Sequence, residues 1–93
     1  MDNKIFFDET VSTYNLYNDV FTRFLEIYRT QKDVIPILDM SVTRYITPSA
    51  VPVLLSFGDY LRRIYKQPID LVVSEESEIL NFINHVQFLG MKT

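Results

Sequence analysis

The sequence predicts a small α/β domain, with a mostly parallel or mixed four-stranded sheet and about three helices. Three observations carry that expectation. Short apolar runs alternate along the chain with longer stretches of helical periodicity, the order that builds crossover units. Only two glycines occur, Gly58 and Gly90, so tight turns that need positive φ are scarce and longer connections are favoured. Finally, 47% of the 93 residues are hydrophobic, including seven Phe and six Tyr. A chain this short forms one domain and needs so dense a core, and a disordered reading fails on the same count.

The elements follow in order. Residues 4–7 (KIFF) are a strand candidate. Thr10 or Ser12 can cap a first helix whose main apolar stripe is Tyr14, Tyr17, Phe21, Phe24, Leu25 and Tyr28, with Leu16, Val20 and Ile27 beside it. Residues 34–38 form a nearly continuous apolar run ending at Asp39, the pattern of a strand buried on both faces. Pro36 must then sit where no ladder donor is needed. A second helix spans 50–65, and residues 69–73 make a third strand. Ser74 caps a third helix with Glu75 and Glu76 in its first turn and Ile79, Leu80, Ile83 and Val86 inward. Residues 86–89 are either a short last strand or the exit of that helix.

Strand–helix alternation implies right-handed crossovers, and such sheets gather function at the carboxyl ends of their strands. For the central strand that end is Asp39. The Asp39-Met40-Ser41 turn suits a carboxylate that accepts backbone N–H groups. Two prolines, Pro48 and Pro52, bracket the entry to the second helix. With Ser49 as the cap, Pro52 becomes the third helical residue, where no donor is missed. A helix start at this edge suits an anion or phosphorylated side chain, or else a plain cap stiffened by prolines. In the second helix Val51, Leu54, Leu55, Gly58, Leu61 and Tyr65 form one stripe and Val53, Phe57, Tyr60 and Ile64 another. Together they span roughly 200°, wider than the usual core-facing stripe of about 100°. Either the two helices pack on each other as well as on the sheet, or part of this surface meets another chain.

Several function classes lack their residues. There is no cysteine, hence no disulfide, thiolate nucleophile or cysteine metal site. His85 is the single histidine and reads as structural. Asp39 and Asp59 have no second carboxylate or nucleophile placed beside them by the sequence, so no enzyme and no cofactor is expected. The net charge of −3 disfavours nucleic acid. Arg62, Arg63 and Lys66 read as a solvated helix face. No leader pattern follows Met1 and no apolar run nears the roughly 20 residues of a membrane span, so a cytoplasmic protein without membrane contact is expected.

Residues 37–55 (ILDMSVTRYITPSAVPVLL) resemble the core of STAS domains, the anti-sigma-factor-antagonist family. There an apolar strand ends in Asp-x-Ser, and a short loop leads to a hydroxyl-rich helix start. The resemblance covers about half the chain. It implies a non-enzymatic bacterial signalling module that docks on a protein partner, of histidine-kinase-like ATPase or anti-sigma-factor type, in cis or in trans. The docking surface would be the loop 40–47 and the start of helix 49–65, with Asp39, Ser41, Tyr45, Thr47, Ser49, Val53 and Phe57 as contact residues. Thr47 stands at the family's aspartate, Pro48 at its usual phosphoacceptor and Ala50 at its glycine. That leaves Ser49 as the candidate phosphoacceptor. The early first helix is similar to STAS-like modules beside or fused to ATPase domains, so the chain is also readable as the N-terminal part of a longer protein. Two alternatives stand beside this: a small-ligand or nucleotide sensor using the crevice between Asp39–Thr47 and the helix start, and a homodimer formed by the wide apolar arcs.

Overall fold

The computed structural model of the chain describes residues 2–74. They form an α/β structure with five short strands in two sheets and two helices. Strands β1 (Lys4–Phe6), β3 (Ile37–Met40) and β5 (Leu71–Val73) make an all-parallel sheet in the order β1-β3-β5, and β2 (Thr10–Val11) pairs in parallel with β4 (Tyr45–Ile46). The expectation of a mostly parallel α/β arrangement holds. Among the described residues the larger sheet has three strands and the small β2–β4 pair stands apart from it. The expected third helix from Ser74 and the segment 86–89 lie outside the described residues.

The central strand starts three residues later than the apolar run suggests, at Ile37 rather than Val34. Pro36 explains the shift: without an N–H it cannot enter the ladder, so pairing begins immediately after it, with Ile37 N donating to Asn3 O at 3.0 Å. The third strand likewise narrows to Leu71–Val73. Register places Ile5, Leu38 and Leu71 in one row across the sheet, and all three are buried. The next row, Phe6, Asp39 and Val72, faces the other way, and there Phe6 and Val72 are exposed.

Helix α1 begins at Thr13–Asn15, passes through a π-helical turn at Leu16–Val20 and continues as Phe21–Thr30. Ser12 caps it through a reciprocal box: its hydroxyl accepts from Asn15 N at 3.2 Å while Asn15 Oδ1 accepts from Ser12 N at 3.1 Å. The π turn is closed by Phe21 N–H on Leu16 O. The buried side of α1 matches the expected main stripe only at Phe24 and, in part, at Phe21. Leu16, Val20, Phe24 and Ile27 face the core, whereas Tyr14, Tyr17, Leu25 and Tyr28 are exposed. The aliphatic residues Leu16, Val20 and Ile27 join the core, Phe24 packs toward α2, and the tyrosines keep their hydroxyls in water.

Helix α2 is Ala50–Tyr65, as predicted, and buries Ala50, Leu54, Phe57, Gly58 and Leu61. It stops at Lys66, which takes a left-handed conformation (φ 58°) and donates its N–H to Arg62 O at 2.8 Å. Phe21 packs tilted against Phe57 at 4.8 Å between centroids, and Phe24 meets Phe57 edge-on at 5.7 Å and Tyr60 edge-on at 6.2 Å. Partners advance together along both helices, so α1 and α2 run parallel and side by side. Arg23 ties α1 to the outer side of β1, its Nε donating to Lys4 O at 3.3 Å and its Nη2 to Asp2 O at 3.0 Å, with Gln31 Nε2 reaching Asp2 O at 3.2 Å. No described helix is long and apolar enough to cross a membrane.

Candidate functional site

The chain leaves β3 at the carboxyl edge of the sheet, where the sequence places its candidate residues. Asp39 is buried, and its Oδ1 accepts the Ser41 N–H at 3.0 Å, the turn expected from its type and position. Its Oδ2 lies 3.9 Å from Lys4 Nζ, a loose ion pair on the side of the sheet away from the helices. Asp39 thus organises the loop from beneath. Ser41 is exposed above it.

The loop after β3 is tied down along its length. Thr43 is fully buried; its N–H donates to Met40 O at 3.1 Å and its Oγ1 to Asp8 O at 2.9 Å. Arg44 and Tyr45 donate their N–H groups to Glu9 O at 2.8 and 3.0 Å, and Thr47 N–H reaches Val11 O at 2.9 Å. Between these anchors Val42 and Tyr45 are more than half exposed. Two apolar side chains therefore stand in solvent on a backbone that is held in place.

At the helix entrance the boundary falls where Ser49 predicts it, but Ser49 does not cap. Its backbone is already helical (φ −70°, ψ −23°) and its side chain makes no cap bond. The reason is local. The third helical residue, Pro52, has no N–H to offer, and the Val51 N–H is turned to Pro48 O at 3.4 Å. The proline that fits the first turn also removes the amide a cap would bind. Ala50 N–H goes to Thr47 O at 2.9 Å, and Ser49 Oγ lies 3.5 Å from Thr47 Oγ1. Ser49 is exposed.

The remaining two candidates, Val53 and Phe57, belong to a different feature. Between α1 and α2 runs an open groove of about 540 Å³. From α1 it is lined by Tyr17, Phe21, Phe24 and Leu25; from α2 by Pro52, Val53, Ser56, Phe57 and Tyr60. Phe57 is buried as its floor, between Phe21 and Phe24. Among the described residues no lining side chain carries a charge. The groove is thus set between the helices and not at the crevice beside Asp39 and Thr47.

No protein-family model, curated protein or solved structure matches this chain.

Chemically, the two features differ. The carboxyl edge offers hydroxyls and one aromatic on a rigid frame, and the groove offers aromatic surface with the hydroxyls of Tyr17, Ser56 and Tyr60. Beside it the Tyr65 phenol is pushed above its ordinary value by burial, with Tyr28 and Tyr60 nearby adding to the effect. Among the described residues no group of three His, Cys, Asp or Glu side chains is placed to hold a metal ion. Sequence reasoning counted Thr43 only among the loop hydroxyls and missed its role as a buried anchor, because a lone threonine in a polar stretch carries no pattern. It missed the β2–β4 pair because two residues per strand are too few to show alternation.

Proposed function

We propose that this chain is a non-enzymatic, STAS-like regulatory module that docks on a protein partner, a histidine-kinase-like ATPase or anti-sigma-factor type, through the loop 40–47 and the start of α2. The observation that carries the reading is the exposure of Val42 and Tyr45 on a loop fixed by the Thr43 hydroxyl and the β2–β4 pair. A preformed apolar contact loses little conformational freedom on binding, which favours recognition by a second protein. Support comes also from the succession of central strand, buried aspartate, anchored loop and parallel helix, the order in which the resembling segment runs. Within the surface, Ser41, Tyr45, Thr47, Ser49 and Val53 are contact residues, while Asp39 and Phe57 act from below by holding the loop and the helix. Ser49, exposed and making no cap bond, is the hydroxyl that a kinase-like partner would modify.

The test is calorimetric titration of the chain with a kinase-like ATPase domain encoded beside it or joined to it. Binding by the wild type, weakened at least about tenfold by Tyr45→Ala and by Ser49→Glu with the thermal midpoint unchanged, supports the proposal. Equal affinity of both variants and wild type would show that the surface is misassigned. Saturable binding of nucleotide by the isolated chain, without any protein partner, would favour the sensor alternative instead.

A further inference from the structure

The helix layer carries a second surface, centred on the groove, which shares Val53 and the Phe57 floor with the docking residues but none of the loop 40–47. Tyr14, Tyr17, Leu25 and Tyr28 of α1 and Tyr60 of α2 are 72, 60, 46, 37 and 52% exposed. They border the groove or continue its line three or four residues on. With about 200 Å² for a tyrosine ring, their exposed parts alone come to on the order of 500 Å². That is the upper end of the apolar patch an ordinary monomer leaves in water, roughly 300–600 Å². We propose that this face is the interface of a symmetric homodimer, in which the α1–α2 layer of one copy packs on that of another.

Three observations select a second copy as the occupant. The first is area. With the groove floor included, one copy covers about 600 Å² of the other, and two such faces remove about 1,200 Å² from water, the lower bound for a specific interface. The second is charge. Among the described residues the lining has none, and the charges next to Tyr60 on α2 are already paired with one another, Asp59 with Arg62 at 3.7 Å and with Arg63 at 2.8 Å, while Arg23 of α1 is turned away to β1. A strongly acidic or basic partner finds no matching field there, whereas a copy meets its own neutral face without repulsion. The third is shape. Tyr17 stands on the π-helical turn, a rare local form that recurs at functional sites, and meets Phe21 edge-on at 5.2 Å beside an open trough. A face with both a ridge and a trough is the self-complementary kind an isologous contact needs.

The experiment is sedimentation velocity of the full chain from about 1 µM to about 500 µM. A reversible monomer–dimer equilibrium is expected. Ser56→Arg sets a charge in the groove from an exposed position without removing a core contact; because symmetry doubles the change, it should raise the dimer dissociation constant at least about a hundredfold. Tyr17→Arg should do the same, and circular dichroism with a thermal melt checks that both variants fold as the wild type does. Tyr45→Arg, at the other edge, should leave the dimer intact and so separates this proposal from the docking reading. A wild type that stays monomeric throughout overturns the proposal. So does a dimer untouched by Ser56→Arg and Tyr17→Arg, or one broken only by Tyr45→Arg.

Discussion

Replacing Thr43 by Val removes one hydroxyl and almost no volume, and should loosen the whole segment between β3 and α2. In the native chain the hydroxyl donates to Asp8 O at 2.9 Å, in a half-buried setting. Stranding a buried carbonyl costs about 1–3 kcal/mol, and partial access of water to Asp8 puts this case in the lower half, about 1–2 kcal/mol. For a chain of this length each kcal/mol moves the thermal midpoint by about 4–8 °C. Thr43→Ser is the matched control: it keeps the donor and loses one methyl, worth about 1 kcal/mol in a packed site. Urea titration of the three proteins gives the stabilities. Amide exchange at Arg44, Tyr45 and Thr47, whose N–H groups bond to Glu9 and Val11 carbonyls, gives the local effect. The Val variant should lose protection at these three amides beyond its global loss. If it unfolds at the wild-type urea concentration with protection intact, the hydroxyl is not the anchor. If the Ser variant is the worse of the two, packing of the methyl is what holds the loop.

Two further substitutions test the C-terminal end of α2. Lys66 occupies a left-handed position without the freedom of glycine, so Lys66→Gly should stabilise the chain by about 0.5–1 kcal/mol, read as a higher urea midpoint at unchanged slope. Tyr65 has a hydroxyl shielded from water with no hydrogen-bond partner among the described residues, and Tyr65→Phe should raise stability at neutral pH by about 0.5–1 kcal/mol. Because folding pushes this phenol above its ordinary value of 10.0, the wild type loses stability as pH rises from about 10, where the unfolded chain gives up the proton first. The advantage of the Phe variant should therefore widen above pH 10 in melts run against pH; a constant gap would count against burial as the cause.

What the sequence made legible follows from which forces act over a regular period. The helix Ala50–Tyr65 was readable in full, since its apolar spacing and its two prolines both mark it. The turn at Asp39 was readable because a short carboxylate after a strand has few other uses. The buried side of α1 was not. An aromatic stripe and an aliphatic stripe compete there, and a 3.6-residue template does not anticipate a π turn, which keeps Leu16 and Val20 over the same part of the core. Ser49 misled because capping depends on the amide offered as well as on the acceptor, and proline withholds it. The candidate residues themselves divide, five toward a surface edge or groove and two, Asp39 and Phe57, into the interior. The sequence shows which residues lie close along the chain, but which of them share a face is settled by the pairing of β2 with β4 and of α1 with α2.

The hold of Arg23 on β1 bears on how this sheet behaves in a crowded solution. Among the described residues β1 ends the sheet, and its outward carbonyls at Asp2 and Lys4 are those a foreign strand would seek. Both are already occupied by a guanidinium and a side-chain amide. A strand arriving at that edge must first displace a charge-assisted clasp before it gains one ladder bond, so growth of the sheet from chain to chain is discouraged on this side. Arg23 thus guards the molecule against polymerising through its backbone, while its side-chain faces stay open for selective contacts.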